Sequence, residues 1–488
     1  MKHTLIKPLR LCLIFLAMQL GANAQQSHCA TLLGDQTKAF LMGRSNQLNN
    51  IKNQNPNIQT RRSVPIKFHL VADGNGNGYY RTADLYELMC TLNRQFDTTN
   101  IRFYMLEPIN YIANTNFYNF TNIAFGDACM NQYNVANACN VYINENPWGA
   151  CGYAYYPNSG PFNGNAGIFL AKSCSDPKSN TTFAHEMGHY LALPHTFDVV
   201  SGNIEFVNRA NCSTAGDLFC DTPADFINQR WNCPYNGTQT DPNGQPYSPD
   251  PRFFMSYSLD ACMNRFSAQQ RTAMDFSLTN DRPYLLNPSA PNIITLPATT
   301  NIIPADSSTN VRQFTFRWRA IPNATGYIFR AKRSNFNTYQ VLVYVTDTFY
   351  NYVGPVFSNP NFWQQWSVKP VGLNAFCSSY SPSSYFKSDP TPTTIEEIDF
   401  RDREIGVAPS LVSLTMPLVN IFFKQNTNSG IELKHLDVYD TTGKLIVSQK
   451  NISNNIYGLD VSNLPIGLYF IKVTTPKGTY SSKFVVRD

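Results

Sequence analysis

His185, His189 and His195 bring three of the chain's seven histidines into one short segment, His185-Glu186-Met187-Gly188-His189-Tyr190-Leu191-Ala192-Leu193-Pro194-His195. On a helix, side chains four apart lie one turn from each other, about 6 Å, and project from one face. Two imidazole nitrogens so placed can meet one Zn²⁺ at about 2.0–2.1 Å each. Glu186 directly follows the first histidine, where its carboxylate can reach a metal-held water and take its proton. The helix cannot run through Pro194, which lacks an N–H and biases its predecessor away from helical angles. The chain therefore turns, and His195 can swing back as a third ligand. Three protein ligands with a fourth position open describe a catalytic zinc site, because structural sites are closed.

The competing reading is an exposed amphipathic helix with incidental histidines, since a bare HExxH arises by chance. A third histidine just beyond a helix breaker disfavours it. The spacing resembles the metzincin motif HExxHxxGxxH, and Phe253-Phe254-Met255-Ser256-Tyr257-Ser258-Leu259-Asp260-Ala261-Cys262-Met263-Asn264-Arg265-Phe266 resembles the Met-turn of that clan. More narrowly, residues 25–275 resemble the pappalysin-like (cytophagalysin) metalloproteases. The residues that carry the likeness are Cys29, the strand Val64–Val71, Leu92-Asn93 with Phe96, the histidine helix, Asp221-Thr222-Pro223 and the Met-Ser-Tyr segment.

That resemblance implies a secreted zinc endopeptidase acting on extracellular proteins, with His185, His189 and His195 on Zn²⁺ and Glu186 as general base. It also implies Met255 as an apolar floor under the histidines and Tyr257 beside the metal, where a phenol can hydrogen-bond a developing oxyanion. An ordinary core tyrosine is the alternative for Tyr257, and its place two residues after the Met favours the catalytic role. Two departures stand out. Ala192 replaces the usual glycine; if that position needs a positive φ, alanine costs about 1 kcal/mol there. Arginine-cleaving relatives carry an Asp just before the Met-turn cysteine, where this chain has Ala261, with Asp260 one residue off. A weaker preference for Arg or Lys after the scissile bond is expected. The rival from another class is a non-catalytic surface adhesin with a vestigial zinc domain; the intact Glu186 argues against it, because ligands alone suffice for a structural metal.

The start of the chain points to export. Lys2, Lys7 and Arg10 precede the apolar run Leu11–Leu20 and then Gly21-Ala22-Asn23-Ala24, a signal-peptide pattern with cleavage after Ala24. The apolar run is too short to span a bilayer, and no later segment is long enough. Cys12 lies inside it, which disfavours a lipid anchor. A net charge of +5 without a basic cluster does not indicate nucleic acid.

Of twelve cysteines, all but Cys12 remain after the leader, an odd number in an oxidising compartment. Cys29 is the expected odd one. Its likeness to the leader cysteine of pappalysin-like zymogens implies a thiolate on zinc in a latent form, released by cutting at Arg61-Arg62; pairing with Cys377 or another leftover thiol is the alternative. The resemblance also implies bridges Cys212–Cys233 and Cys220–Cys262. Cys129–Cys139 and Cys151–Cys174 are local pairs on spacing, and Cys90 reads as a buried thiol. Asp217, Asp221 and Thr222 suit Ca²⁺ in an irregular loop or simple turn chemistry, and both readings stay open.

The elements that must position these groups follow from pattern. Residues 1–24 form the signal peptide and 25–62, polar and rich in Asn and Gln, a propeptide. Residues 63–285 are read as an α+β metzincin-like catalytic domain, a mixed sheet with helices. Its elements are a strand near Ile66–Val71, a helix from Thr82 to Phe96, strands near Val141–Ile143 and Ile168–Leu170, and the histidine helix. The cleft is expected beside an edge strand, with substrate added along it. Residues 286–390 carry short strands and an inward Trp318, resembling a fibronectin type III sandwich, assigned to spacing or substrate docking. A linker spans 391–408. Residues 409–488 alternate as strands joined by Gly-containing turns, a small β-sandwich resembling the C-terminal sorting domain of type IX secretion, whose machinery would be the partner. The Pro-Asn-Pro opening of that domain is degraded here to Val407-Ala408-Pro409-Ser410.

Overall fold

The computed structural model describes residues 28–52, 61–160, 166–311, 314–352, 357, 362–388, 405–408, 411–413, 418–423, 434–452, 456–475 and 478–487. The signal peptide, the stretch 53–60 before the Arg pair, most of the linker, and Pro409-Ser410 lie outside the described residues.

The first described element is a helix, α1 (Asp35–Lys52), inside the expected propeptide. The catalytic sheet begins with β1 (Arg62–Ala72), whose residues from Val64 to Val71 are all buried, as a strand covered on both faces must be. The next helix, α2 (Thr82–Gln95), presents Leu85, Leu88, Met89 and Leu92 to that sheet at helical spacing. β2 (Ile101–Ala113) and Cys139–Asn144 flank β1 in parallel, and Ile168–Ala171 extends the parallel set. Gly152–Ala154 closes the sheet as an antiparallel edge strand. The result is a mixed sheet with helices, as read from the sequence, but of five strands: Ile101–Ala113 and Gly152–Ala154 were not among the strands read there. The histidine helix, Thr182–Tyr190, packs against that edge strand.

Two β-sandwiches follow. Strands Asn301–Ile303, Thr315–Trp318 and Phe349–Asn351 face a five-stranded sheet containing Gly326–Arg333 and Gln364–Val371 across a core of Phe316, Trp318, Phe329 and Trp366. The C-terminal unit sets Leu418–Phe423 and Ile456–Asp460 against Lys434–Tyr439, Gly467–Thr475 and Gly478–Arg487. Its alternating residues Leu436, Val438, Ile471 and Val473 point inward. Among the described residues no helix is long and apolar enough to cross a membrane.

The first sandwich does not hang from the catalytic domain as a separate spacer. Ile328, Val371 and Phe376 enter the same apolar core as β1 and α2. Cys377 forms a disulfide with Cys90 on α2, which corrects the expectation of a buried Cys90 thiol. The residues are far apart in sequence and only tertiary packing brings α2 against the loop at 377. Tyr86 stacks on Tyr344 with ring centres 5.0 Å apart.

Cys151–Cys174 forms as expected, but Cys129 and Cys139 do not pair. Cys139 belongs to the core on one face of the sheet and Cys129 to the cluster on the other, so spacing alone misled. The crossed bridges also fail: the structure holds Cys212–Cys220 and Cys233–Cys262 instead. The segment at Trp231 runs beside the Met-turn tail, Trp231 N–H donating to Tyr257 O at 3.2 Å, which delivers Cys233 to Cys262. Cys212 sits in a turn that folds back toward Cys220, whose carbonyl accepts from Arg209.

Candidate active site

The histidine helix ends in a way its sequence explains. Leu193 N–H bonds Gly188 O at 2.9 Å and Ala192 N–H bonds His189 O at 2.9 Å, the paired bonds of a Schellman cap. Ala192 takes a φ of 71°, the left-handed conformation that glycine usually supplies at this position. Pro194 then prevents resumption of the helix, and His195 returns to the first two histidines.

Their Nε2 atoms converge. His189 Nε2 is 3.1 Å from His185 Nε2 and 3.0 Å from His195 Nε2. Two nitrogens on one tetrahedral zinc, each about 2.0–2.1 Å from it, would lie about 3.3 Å apart, so the set fits that ion. Each ring is oriented through its other nitrogen. His185 Nδ1 donates to Phe254 O at 2.6 Å, His189 Nδ1 to Leu193 O at 2.7 Å, and His195 Nδ1 meets Asp198 Oδ2 at 3.0 Å. Outer partners of this kind fix the tautomer and the lone-pair direction of metal-ligating imidazoles. Burial pushes the His185 and His189 pKa values well below the ordinary range, and the neighbouring histidines push them further; the rings are neutral, as ligands must be.

Cys29 completes the cluster. Its Sγ and the three histidine nitrogens all lie within 4.8 Å of one another, and among the described residues this is the one such group of His, Cys, Asp or Glu. The segment carrying Cys29 runs along the edge strand: Ala30 N–H donates to Gly152 O at 3.0 Å and Ala154 N–H to Thr31 Oγ1 at 2.9 Å. Cys29 forms no disulfide, so the alternative of a Cys29–Cys377 bridge fails.

Glu186 is fully buried beside the cluster. Its Oε2 accepts from Thr31 Oγ1 at 3.0 Å, and burial lifts its pKa to about 8. Gly152 makes room for it: a Cβ there would come within 2.9 Å of Glu186 Cγ. Met255 is buried under the helix, and a Cβ on Gly188 would lie 2.3 Å from its sulfur, so the glycine permits the contact. Tyr257 stands over the histidines, its ring centre 4.9 Å from that of His195, and its hydroxyl donates to Cys29 O at 3.4 Å.

The three candidate calcium residues do not converge. Asp217 accepts from Phe219 N–H and from Thr222 Oγ1, while Asp221 accepts from Ser267 Oγ and Gln269 N–H at the start of the helix Ala268–Asn280. Turn and cap chemistry therefore account for them. Two contributors escaped the sequence: Thr31 and Asp198. Asp198, three residues past His195, carried a faint signal; Thr31 carried none.

Comparison with known proteins agrees with this geometry. Residues 126–279 match the family model described as pregnancy-associated plasma protein-A, and residues 417–487 match the secretion system C-terminal sorting domain. An extracellular metalloprotease of Colletotrichum graminicola is 29% identical over 229 residues, covering 43% of this chain and 74% of that protein. One from Neurospora crassa is 28% identical over 229 residues, covering 44% and 74%. Mature mirolysin of Tannerella forsythia in complex with a cleaved peptide overlays at a TM-score of 0.36 with 19% identity, covering 47% of this chain and 100% of that one, too loose a likeness to carry an argument.

The site, the family match and the extracellular relatives together support a secreted zinc metalloendopeptidase. More narrowly, residues 126–279 are similar to the pappalysin-like metalloproteases, and residues 417–487 match the sorting domain of type IX secretion, a route out of the cell.

Proposed function

We propose that His185, His189 and His195 hold the catalytic zinc, that Glu186 is the general base and acid of peptide hydrolysis, and that Tyr257 faces the developing oxyanion. The observation that carries this reading is the convergence of three Nε2 atoms beside a buried carboxylate. Zinc bound there supplies a Lewis acid that polarises the scissile carbonyl and favours deprotonation of water. Glu186 takes the proton of the attacking water and returns it to the leaving amine. The Tyr257 hydroxyl already points at a peptide carbonyl in the cleft, Cys29 O, the same kind of oxygen on which charge develops. Met255 is the floor that keeps the helix and its ligands at one height.

The described state has the character of a precursor. Cys29 occupies the position that catalysis needs for water, and Thr31 occupies the base. The chain then divides into a signal peptide (1–24), a propeptide (25–62) cut at Arg61-Arg62, a protease domain (63–285), a fibronectin-like domain (286–390), a linker (391–408) and the sorting domain (409–488), which engages the secretion machinery.

Glu186→Ala tests the mechanism. It should retain stoichiometric zinc and lose nearly all peptidase activity, because the carboxylate is not a ligand; His185→Ala should lose the metal too. Wild-type turnover in Glu186→Ala would overturn the assignment.

A further inference from the structure

One face of the five-stranded sheet in the first sandwich buries Phe329, Ala331, Trp366 and Phe386 in its core. Alternation along the strands sends Arg330, Lys332, Ser367 and Tyr385 to the other face. Register sets Arg330 opposite Ser367 there, and Gln365 between Lys332 and Tyr385. At its protease end this outer face is closed: Ile328 enters the shared core, and Lys369 is held by Glu87 of α2 at 3.1 Å. Further out, cations and aromatic rings interleave. The Arg330 guanidinium carbon lies 3.4 Å from the centre of the Tyr380 ring and 4.3 Å from that of Tyr339. Lys332 Nζ is 5.4 Å from the Tyr339 ring centre, and Lys387 Nζ 5.2 Å from that of Trp363. Among the described residues no carboxylate pairs with Arg330, Lys332 or Lys387; Arg330 Nε donates to Ser367 Oγ at 2.8 Å and Lys332 Nζ to Phe336 O at 2.8 Å. Asp306, just before the edge strand Ser308–Val311, is engaged by Tyr385 N–H at 2.8 Å.

We propose that this face is a docking surface for acidic segments of protein substrates, with Arg330 binding a carboxylate and Lys332 and Lys387 beside it. The proposal adds a substrate class to the peptidase reading and rests on that reading. Two rings against the guanidinium and a tied Nε hold Arg330 in one plane. Its two Nη groups, hydrogen-bonded to no described residue, are left as a preset fork for one carboxylate. Trp363 and Tyr339 already carry cations on a ring face, the surface on which a sugar or a nucleobase would stack. Charge is therefore what this face offers a partner, and cations without a counter-charge draw an anionic one. The Cys90–Cys377 disulfide and the shared core fix the sheet on α2. A segment bound here is held at a set place on the protease, which raises the local concentration of its scissile bonds at the cleft.

The test is binding of fluorescent poly-L-glutamate to the full chain carrying Glu186→Ala, a measurement that needs no peptidase activity. Binding should weaken by about tenfold in Arg330→Gln with Lys332→Gln, and Arg330→Lys should bind no better than Arg330→Gln, because an ammonium lacks the fork. Lys387→Gln should weaken it severalfold, which gives a second reading should Arg330→Gln fail to fold. In the chain with Glu186 intact, the same substitutions should raise KM for acid-rich casein and leave kcat/KM for a short neutral peptide unchanged. Equal binding of poly-L-glutamate by wild type and folded variants overturns the proposal, as does an unchanged casein KM in variants that have lost this binding. Heparin or oligothymidylate held at these residues about tenfold tighter than poly-L-glutamate also overturns it, in favour of a glycan or nucleic acid. Loss of poly-L-glutamate binding in the variants, with no hydrolysis by the wild type, overturns the peptidase reading and not the docking surface.

Discussion

Asp198 and Thr31 act on the reactive residues through single hydrogen bonds. Asp198 Oδ2 accepts from both the backbone N–H and Nδ1 of His195, which fixes that ring after the turn. Thr31 bridges the edge strand and Glu186, so the segment that brings Cys29 to the histidines also reaches the buried carboxylate. The placing of His185, Glu186 and His189 was legible because helical spacing puts it into the sequence itself, and the return of His195 because Pro194 stops the helix. Thr31 was not, because its partner lies 155 residues away and no pattern links them. Latency is tested at this scale: Cys29→Ala should give a precursor that digests casein without prior cutting, or that processes itself faster. A Cys29→Ala precursor as inert as wild type would remove the thiol from the account.

At the scale of elements, the three central strands, α2 and the histidine helix were legible from apolar runs and periodicity, while the strands Ile101–Ala113 and Gly152–Ala154 were not, and Ala192 marked the strained cap through a missing glycine. The helix α1 was missed because its face toward the protease, Leu41 and Leu48 with Arg44, is diluted by polar residues. Disulfide partners were misread because the path of an irregular loop is tertiary information. That loop offers a pH test. Burial raises the Glu205 pKa from 4.5 to about 8, so its protonated form is favoured in the fold. Its stabilising effect is complete below about pH 4.5 and is lost as pH rises through about 8. Glu205→Gln should therefore unfold at a higher temperature than wild type near pH 8, by about 1–3 kcal/mol in stability, and the advantage should vanish toward pH 4.5. An advantage that ignores pH would contradict the buried, uncompensated carboxylate.

The whole molecule is tied together across the boundary between protease and first sandwich. Lys369 pairs with Glu87 at 3.1 Å, Tyr380 donates to the same carboxylate at 2.9 Å, and the backbone bond from Met105 N–H to Leu373 O spans the junction at 2.8 Å. The Cys90–Cys377 disulfide closes a loop with a sequence separation of 287, which greatly restricts the unfolded chain. Cys377→Ser should lower stability by about 2–4 kcal/mol in guanidinium unfolding, with protease and sandwich still unfolding together because they share a core. Two separated transitions in the oxidised wild type would show that the units are independent. The central claim concerns what this assembly does, and casein hydrolysis by the full chain, trypsin-activated and then freed of serine-protease activity, measures it most directly. Chelation should abolish the hydrolysis and stoichiometric Zn²⁺ should restore it, with the Glu186→Ala chain inactive under both conditions; undiminished hydrolysis in the chelator, absent from the Glu186→Ala blank, would contradict a zinc peptidase.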